Sequence, residues 1–447
     1  MIDLISAAGV LLLLGGVMLI AKYFSKRLTP EGSRKTIHLT MGCAALVLPF
    51  VVEHVMTVVF LGIIAVAFLL LMRIHKGLRA GVATALLGVE RKSLGDIYFV
   101  ISIVVVFALH KSTFEYIIPI AILTFADAIA ALIGVSYGRY NMAKHDQEAA
   151  KSREGSVMFF IVAFICALIP LQLMTEIGRA EVLAISFLIG FLAAIIEAVT
   201  RHGNDNLLLP LLTYSFLREN IAQPLENLLI NFGVLAVMAL VIFAVQKLTN
   251  LTTLSIAYSL LVGYVVMVLG GFSWLWIPLI LFLTFGIFPM MKAEEKQMTQ
   301  SYKVIESNSI VGVLCLYVAV FFPQFRELLY ISFSLSFAIN LAINAYSRML
   351  NFSNRSVKIS ASVGFIRAVV LIALPTYLIA GMSWITTSLY LVFMVISIVF
   401  AVYLNKKYDY KKVGDTTYNA NKIMVGGVTA AFTVILGLLG EIFYVVL

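Results

Sequence analysis

Apolar runs long enough to cross a bilayer recur from one end of this chain to the other, and no other feature restricts its fold so strongly. Sixteen runs can be marked, from about 5–23 to about 421–446, several of them shorter than a full span. A helix needs roughly 20 apolar residues to cross the hydrocarbon layer. The short runs therefore read as tilted, re-entrant or broken helices. Hydrophobic residues make up 62% of the 447 positions and charged residues 12%, whereas a soluble domain has about half and about a quarter. The expected fold is all-α: a polytopic transmembrane protein of about 14–16 helices in two halves, 1–220 and 221–447.

The net charge of +9, from 32 Lys and Arg against 23 Asp and Glu, would suit a nucleic-acid binder if the cations shared one soluble face. Here they are sorted by side. With the amino terminus outside or lumenal and every run crossing, most of the cations fall in cytoplasmic loops or at cytoplasmic helix ends, as the positive-inside rule requires. No nucleic-acid partner is expected. The doubtful run Leu207 to Leu217 is tested by the same rule. If it did not cross, Lys292, Lys296, Lys303 and the cluster Lys406, Lys407, Lys411 and Lys412 would lie outside. The first run carries Asp3 and is too long for a signal core, so it reads as a retained helix. Cys43, Cys166 and Cys315 sit in apolar runs without metal-type spacing and read as reduced packing residues.

Polar clusters converge on the cytoplasmic side. They include Arg34, Lys35 and His38 in the first loop, the segment Arg73 to Asp96, and the hexapeptide Lys151-Ser152-Arg153-Glu154-Gly155-Ser156. The segment Arg201 to Asn206, with Asp205, adds a fourth. Asp127 and Glu197 fall near cytoplasmic ends of their own runs. An intramembrane carboxylate is costly unless it meets a cation, a metal or a cavity, so Asp127 is the leading functional candidate. Carboxylates, ammonium groups, hydroxyls and helix starts at one surface suit a nucleotide with a divalent metal. Each piece also has a structural reading. Arg34 and Lys35 serve as topology anchors, Ser152 or Asp205 as caps, and Gly134 and Gly138 as small residues at a helix crossing. The hexapeptide lacks Walker spacing and is no P-loop.

In this order the motifs resemble the integral-membrane CTP-dependent lipid kinases: dolichol kinase, phytol and farnesol kinases and the CTP-using diacylglycerol kinase, relatives of the phosphatidate cytidylyltransferases. The resemblance covers residues 30–212. It rests on Arg34-Lys35-x-x-His38, Gly95-Asp96-x-Tyr98-Phe99, Asp127-x-x-Ala130-x-x-x-Gly134-x-x-x-Gly138, Lys151-Ser152-x-x-Gly155-Ser156, Glu197 and Asp205-Asn206. The chain departs from the family in having Ala126 before the core Asp, where glycine is usual, and in a polar, extended segment 139–150.

The resemblance implies Mg²⁺-dependent phosphoryl transfer from CTP, or another nucleoside triphosphate, to the hydroxyl of a lipid alcohol at the cytoplasmic face. It implies Asp127, Glu197 and Asp205 as metal ligands. Arg34, Lys35, Gly134, Gly138, Lys151, Ser152, Gly155 and Ser156 would then bind nucleotide or phosphate. Asp127, His38 and Lys151 would be catalytic, with Asp96 and Asn206 as further candidates. Asp127 and His38 are equal candidates for accepting the alcohol proton. The enzymatic rival is cytidylyl transfer to phosphatidate, whose family carries a His-Gly-Gly run that His202-Gly203-Asn204-Asp205 only faintly echoes. A transporter is the rival of another class, but it would place polar residues at the midplane of both halves.

The carboxy-terminal half carries Asn340, Asn344 and Arg367 within apolar runs, read first as interhelical hydrogen bonding. Gln300-x-x-Lys303-Val304-x-x-x-Asn308 and Gly426-Gly427-Val428-Thr429 are weakly similar to the membrane family containing phytyl-phosphate kinase. Asn344-Ala345-Tyr346-Ser347 stands where that family has Asp-Thr. A second kinase, a lipid-holding half and a half that makes a homo-oligomer all stay open.

Overall fold

A computed structural model describes residues 30–74, 94–138, 151–200, 203–245, 251–286, 302–352, 355–408 and 420–428, with isolated positions 9, 16 and 431. The first apolar run, the segments 75–93 and 139–150, Arg201, His202, Gln300, Thr429 and most of the last run lie outside the described residues, as does the side chain of Arg34. All regular secondary structure described is helical. Eight described helices are long and apolar enough to cross a membrane, and five more are apolar but shorter. The chain thus has the character of an all-α, multi-pass membrane protein.

The chain divides into two compact units, Met1–Phe232 and Gly233–Leu447. The boundary expected at residue 220 lies just before the helix in which this division falls. In unit 1, α1 is Pro30–Val51, α2 Val55–Ile74, α3 Gly95–Leu109, α4 Thr113–Tyr137, α5 Arg153–Met174, α6 Arg179–Val199 and α7 Asp205–Asn220. The next helix, α8 (Leu225–Val245), carries the division between the units. The run Leu207 to Leu217 lies inside α7, a helix of 16 residues.

The middle of unit 1 is built on α4 and α6. Tyr116, Ile118, Ile120, Ile122, Leu123 and Ala126 of α4 are fully buried, as are Ile185, Leu188, Ile189, Leu192, Ala193 and Ile196 of α6. The helix α2 instead turns Met56, Phe60, Ile63 and Leu71 outward. Lipid tails are as apolar as Leu, so helix pairing in a bilayer depends on close packing and hydrogen bonds rather than on water exclusion. Gly190 of α6 illustrates this. A Cβ there would stand 3.1 Å from the Phe164 amide nitrogen and 3.2 Å from the Phe160 carbonyl of α5. The Tyr116 hydroxyl donates across to the Ala45 carbonyl of α1 at 3.0 Å, and Tyr214 of α7 donates to the Leu109 carbonyl at 2.6 Å.

The helix α4 is not uniform. Residues Ile122–Ala126 form a π turn, and α-helix resumes at Asp127. A π turn holds one extra residue, and each residue rotates the helix by about 100°, so every side chain after it points to a different face than a regular helix would give. The turn lies immediately before the carboxylate that the sequence singles out.

Unit 2 comprises α9 (Thr253–Gly270), α10 (Phe272–Gly286), α11 (Tyr302–Phe321), α12 (Arg326–Phe352), α13 (Val357–Ala380), α14 (Trp384–Tyr408) and α15 (residues 420–428). The helix α12 runs through its middle, packed by α10, α11, α13 and α14. Its buried Ser334 shares hydrogen bonds with Thr376 at 2.6 Å and Tyr390 at 3.0 Å. Asn340 donates to the Asn308 carbonyl at 3.0 Å, the interhelical bonding expected of it. Arg367 is exposed on α13.

Candidate metal and phosphate site

Five of the residues that the sequence singles out meet at one end of unit 1. Asp127 opens the part of α4 after the π turn, Glu197 lies in the last turn of α6, and Asp205 is the first residue of α7. One carboxylate oxygen from each lies within 4.8 Å of the other two. Two lysines complete the group. Lys35 of α1 places its Nζ 2.6 Å from both oxygens of Asp127. Lys151, just before α5, lies 2.7 Å from Glu197 Oε1 and 4.0 Å from Asp205 Oδ2, and it also donates to the Glu197 backbone carbonyl.

Local sequence explains how these groups come together. The α6 helix ends at Val199, and Gly203, with φ +85°, occupies the left-handed region that favours glycine as the chain turns into α7. That turn brings Glu197 and Asp205 to the same place. Ser152 caps α5, its Oγ accepting the Gly155 amide at 3.1 Å, which fixes Lys151 one residue before the cap. The α4–α5 crossing is close because its residues are small. A Cβ on Gly155 would lie 3.2 Å from the Ala130 carbonyl and 3.5 Å from Gly134 Cα, and one on Gly138 would lie 2.8 Å from Ser152 Cβ. Gly134 and Gly155 are therefore where two backbones touch, and Gly138 meets the Ser152 side chain, the packing alternative that the sequence also offered. The Ser156 amide donates to the Ser152 carbonyl at 3.1 Å in the first turn of α5.

His38 sits beside the group. Its Nε2 is 3.3 Å from the Leu123 carbonyl inside the π turn and 3.8 Å from Asp127 Oδ2, and its ring lies 4.5 Å from that of Phe99. A carbonyl only accepts, so in that bond Nε2 carries the hydrogen. The other two candidates have different tasks. Asp96 is paired with Arg73, joining α2 to α3, and is not a member of the carboxylate group. The buried Asn206 side chain donates to the Gly95 carbonyl at 2.7 Å, tying the start of α7 to the start of α3.

The donor set suits a hard divalent cation. Three carboxylates converge, and Glu197 Oε2 is buried with no hydrogen-bond partner. An orphaned buried carboxylate oxygen is costly, and a cation bound by oxygen ligands would relieve both that cost and the repulsion among the three charges. The chemistry of these residues fits Mg²⁺ or Mn²⁺.

Some contacts had no legible signal. Nothing in the sequence distinguishes Lys35 from Arg34, or shows that Asp127 is the partner of Lys35 rather than of Lys151. In unit 2, the buried Lys422 donates to the side-chain oxygens of Asn308 and Asn344, the latter at 2.8 Å. The hint was a cation opening an apolar run. Compared with protein-family models, curated proteins and solved structures, the chain gives no match.

Proposed function

We propose that unit 1 is a Mg²⁺-dependent lipid-alcohol kinase that transfers a phosphoryl group from CTP, or another nucleoside triphosphate, at the cytoplasmic face of its membrane. The observation that carries this reading is the three-carboxylate, two-lysine group, in which Asp127 midway along α4 meets Lys35, Lys151, Glu197 and Asp205 from the ends of other helices. The motif resemblance supplies CTP and the alcohol. Phosphoryl transfer asks a protein mainly for positioning and charge neutralisation, and this group offers both.

Asp127, Glu197 and Asp205 would hold the cation, which when bound neutralises charge on the triphosphate. Lys35 and Lys151 are within reach of the same place and would take phosphate oxygens, aided by the amides at the start of α5. The alcohol oxygen forms a bond to the γ-phosphorus while the bond from that phosphorus to the β–γ bridging oxygen breaks, its electron pair leaving with CDP. His38 takes the alcohol proton, since Asp127 is committed to its cation partners. A hydroxyl at headgroup level and a nucleotide from water meet naturally at helix ends, with the lipid tail held among apolar helices.

The test is transfer of label from γ-³²P-CTP and, separately, α-³²P-CTP into lipid by the purified protein, with prenols, diacylglycerol and phosphatidate as acceptors. Label from the γ position alone, abolished by Asp127→Asn, is the expected result. Label from the α position into phosphatidate would make the protein a cytidylyltransferase instead. Label from neither, with other triphosphates also tried, would remove the kinase reading.

A further inference from the structure

Lys35 and Lys151 are not equivalent in their attachments. Lys151 is held twice by Glu197, through the carboxylate at 2.7 Å and through the backbone carbonyl. Among the described residues, Lys35 directs its ammonium to Asp127 alone, 2.6 Å from each oxygen. Asp127 is also one of the three carboxylates that converge for a cation. Its oxygens cannot serve a metal fully while both are bonded to an ammonium group. Lys35 keeps 14% of its side chain exposed and hangs on a flexible four-carbon stem, so it has a way to turn without crossing the core.

Charge points the same way. Three carboxylates face two ammonium groups, so the fully ionised group keeps one negative charge and repels a polyanion. Adding a divalent cation reverses the sign to positive. The same lysines that balance carboxylates before the metal arrives then become surplus cations, and surplus cations attract phosphate.

We propose that Lys35 is a displaceable counterion: it occupies Asp127 until a divalent cation takes that carboxylate, and the freed ammonium then turns to the triphosphate. This rests on the metal-dependent reading of the site. It makes Lys35 a competitor of the metal and a partner of the nucleotide, so one residue has opposite effects on two ligands. Lys151 stays in place through both events, anchored to the end of α6.

The test measures Mn²⁺ binding by electron paramagnetic resonance on the purified full-length chain without nucleotide, for wild type, Lys35→Met, Lys35→Arg and Asp205→Asn. Lys35→Met is expected to bind Mn²⁺ about tenfold more tightly than wild type, because a charge-assisted bond no longer has to be broken. Lys35→Arg should stay near wild type, and Asp205→Asn should bind far more weakly. A fluorescent CTP analogue with saturating Mn²⁺ should bind Lys35→Met several-fold more weakly. In wild type, acetylation of Lys35 followed by mass spectrometry should rise several-fold on adding Mn²⁺ while that of Lys151 does not, a readout that holds even if Lys35→Met fails to fold. Unchanged or weaker Mn²⁺ binding by a folded Lys35→Met, or acetylation of Lys35 indifferent to Mn²⁺, would overturn the counterion role while leaving the metal site standing. No Mn²⁺ binding that depends on Asp205 would remove the metal reading and this inference together.

Discussion

Replacing Glu197 with Gln separates a ligand-binding carboxylate from a structural one. The change keeps the shape of the side chain and removes one charge. Lys151 lies 2.7 Å from Glu197 Oε1; at an effective dielectric constant of about 20, that attraction is about 6 kcal/mol in gross terms. Against it stand two repulsions. Oxygens of Asp127 and Asp205 lie within 4.8 Å of one from Glu197, which gives at least about 3.5 kcal/mol each on the same scale, about 7 together. Lys35, bonded to Asp127, adds an attraction of about 2 kcal/mol on this scale, so the opposing terms are of similar size, and Lys151 keeps its bond to the residue 197 carbonyl. Metal-free Glu197→Gln should therefore be as stable as wild type or slightly more so, while Mg²⁺ raises the unfolding temperature of wild type and not of the variant. The assay is the fraction of protein that stays monodisperse in detergent after heating, with and without chelator. Tryptophan fluorescence would not serve, because Trp274, Trp276 and Trp384 all lie in unit 2. A metal-free variant destabilised by more than about 2 kcal/mol would refute the reasoning, since the carboxylate would then be an anchor for Lys151 whose attraction outweighs the mutual repulsion.

Three further outcomes follow from the packing. Gly155→Leu should force α4 and α5 apart at Ala130 and Gly134, costing about 1–3 kcal/mol by overpacking and abolishing transfer, with Gly155→Ala much milder; the same heating assay with the labelled-CTP assay decides it. Asn206→Ala should cost about 0.5–1.5 kcal/mol by removing the hydrogen bond to the Gly95 carbonyl, and an unchanged unfolding temperature would show that the α7–α3 tie carries no weight. Lys422→Met should destabilise unit 2 by about 1–3 kcal/mol, because Asn308 and Asn344 lose a shared donor; tryptophan fluorescence should report this while Mn²⁺ binding in unit 1 is unaffected.

The fold class and much of the membership of the candidate site were legible in the sequence, because both depend on chemistry that a linear string displays. Runs of Leu, Ile, Val and Phe cannot be solvated by water, so they determine helices in lipid wherever they occur. Asp127 and Glu197 stood out because carboxylates are rare in such runs, and Asp205 because it opens a helix beside two asparagines. That these residues belong together could be expected as well, since counting crossings assigned them to one side of the membrane.

What the sequence left open was partnership. Asp127 had Arg34, Lys35, His38 and Lys151 as equal suitors, and only the approach of α1 to α4 assigns Lys35 to it. The glycines at 134, 138 and 155 offered phosphate binding and close packing at once, and the closeness of α4 to α5 at these positions comes only from the tertiary structure. Asp96 and Asn206 read as site candidates by position, yet Arg73 and the Gly95 carbonyl take them. The π turn at Ile122–Ala126 is the clearest case. No residue pattern announces an extra residue in a helical turn, because its cost of forming is offset by contacts from other helices. It nevertheless sets the direction in which Asp127 points. Composition determined that this chain makes apolar helices carrying a few carboxylates. Tertiary structure alone decided that three of those carboxylates face one another, because that depends on how each helix is rotated about its own axis.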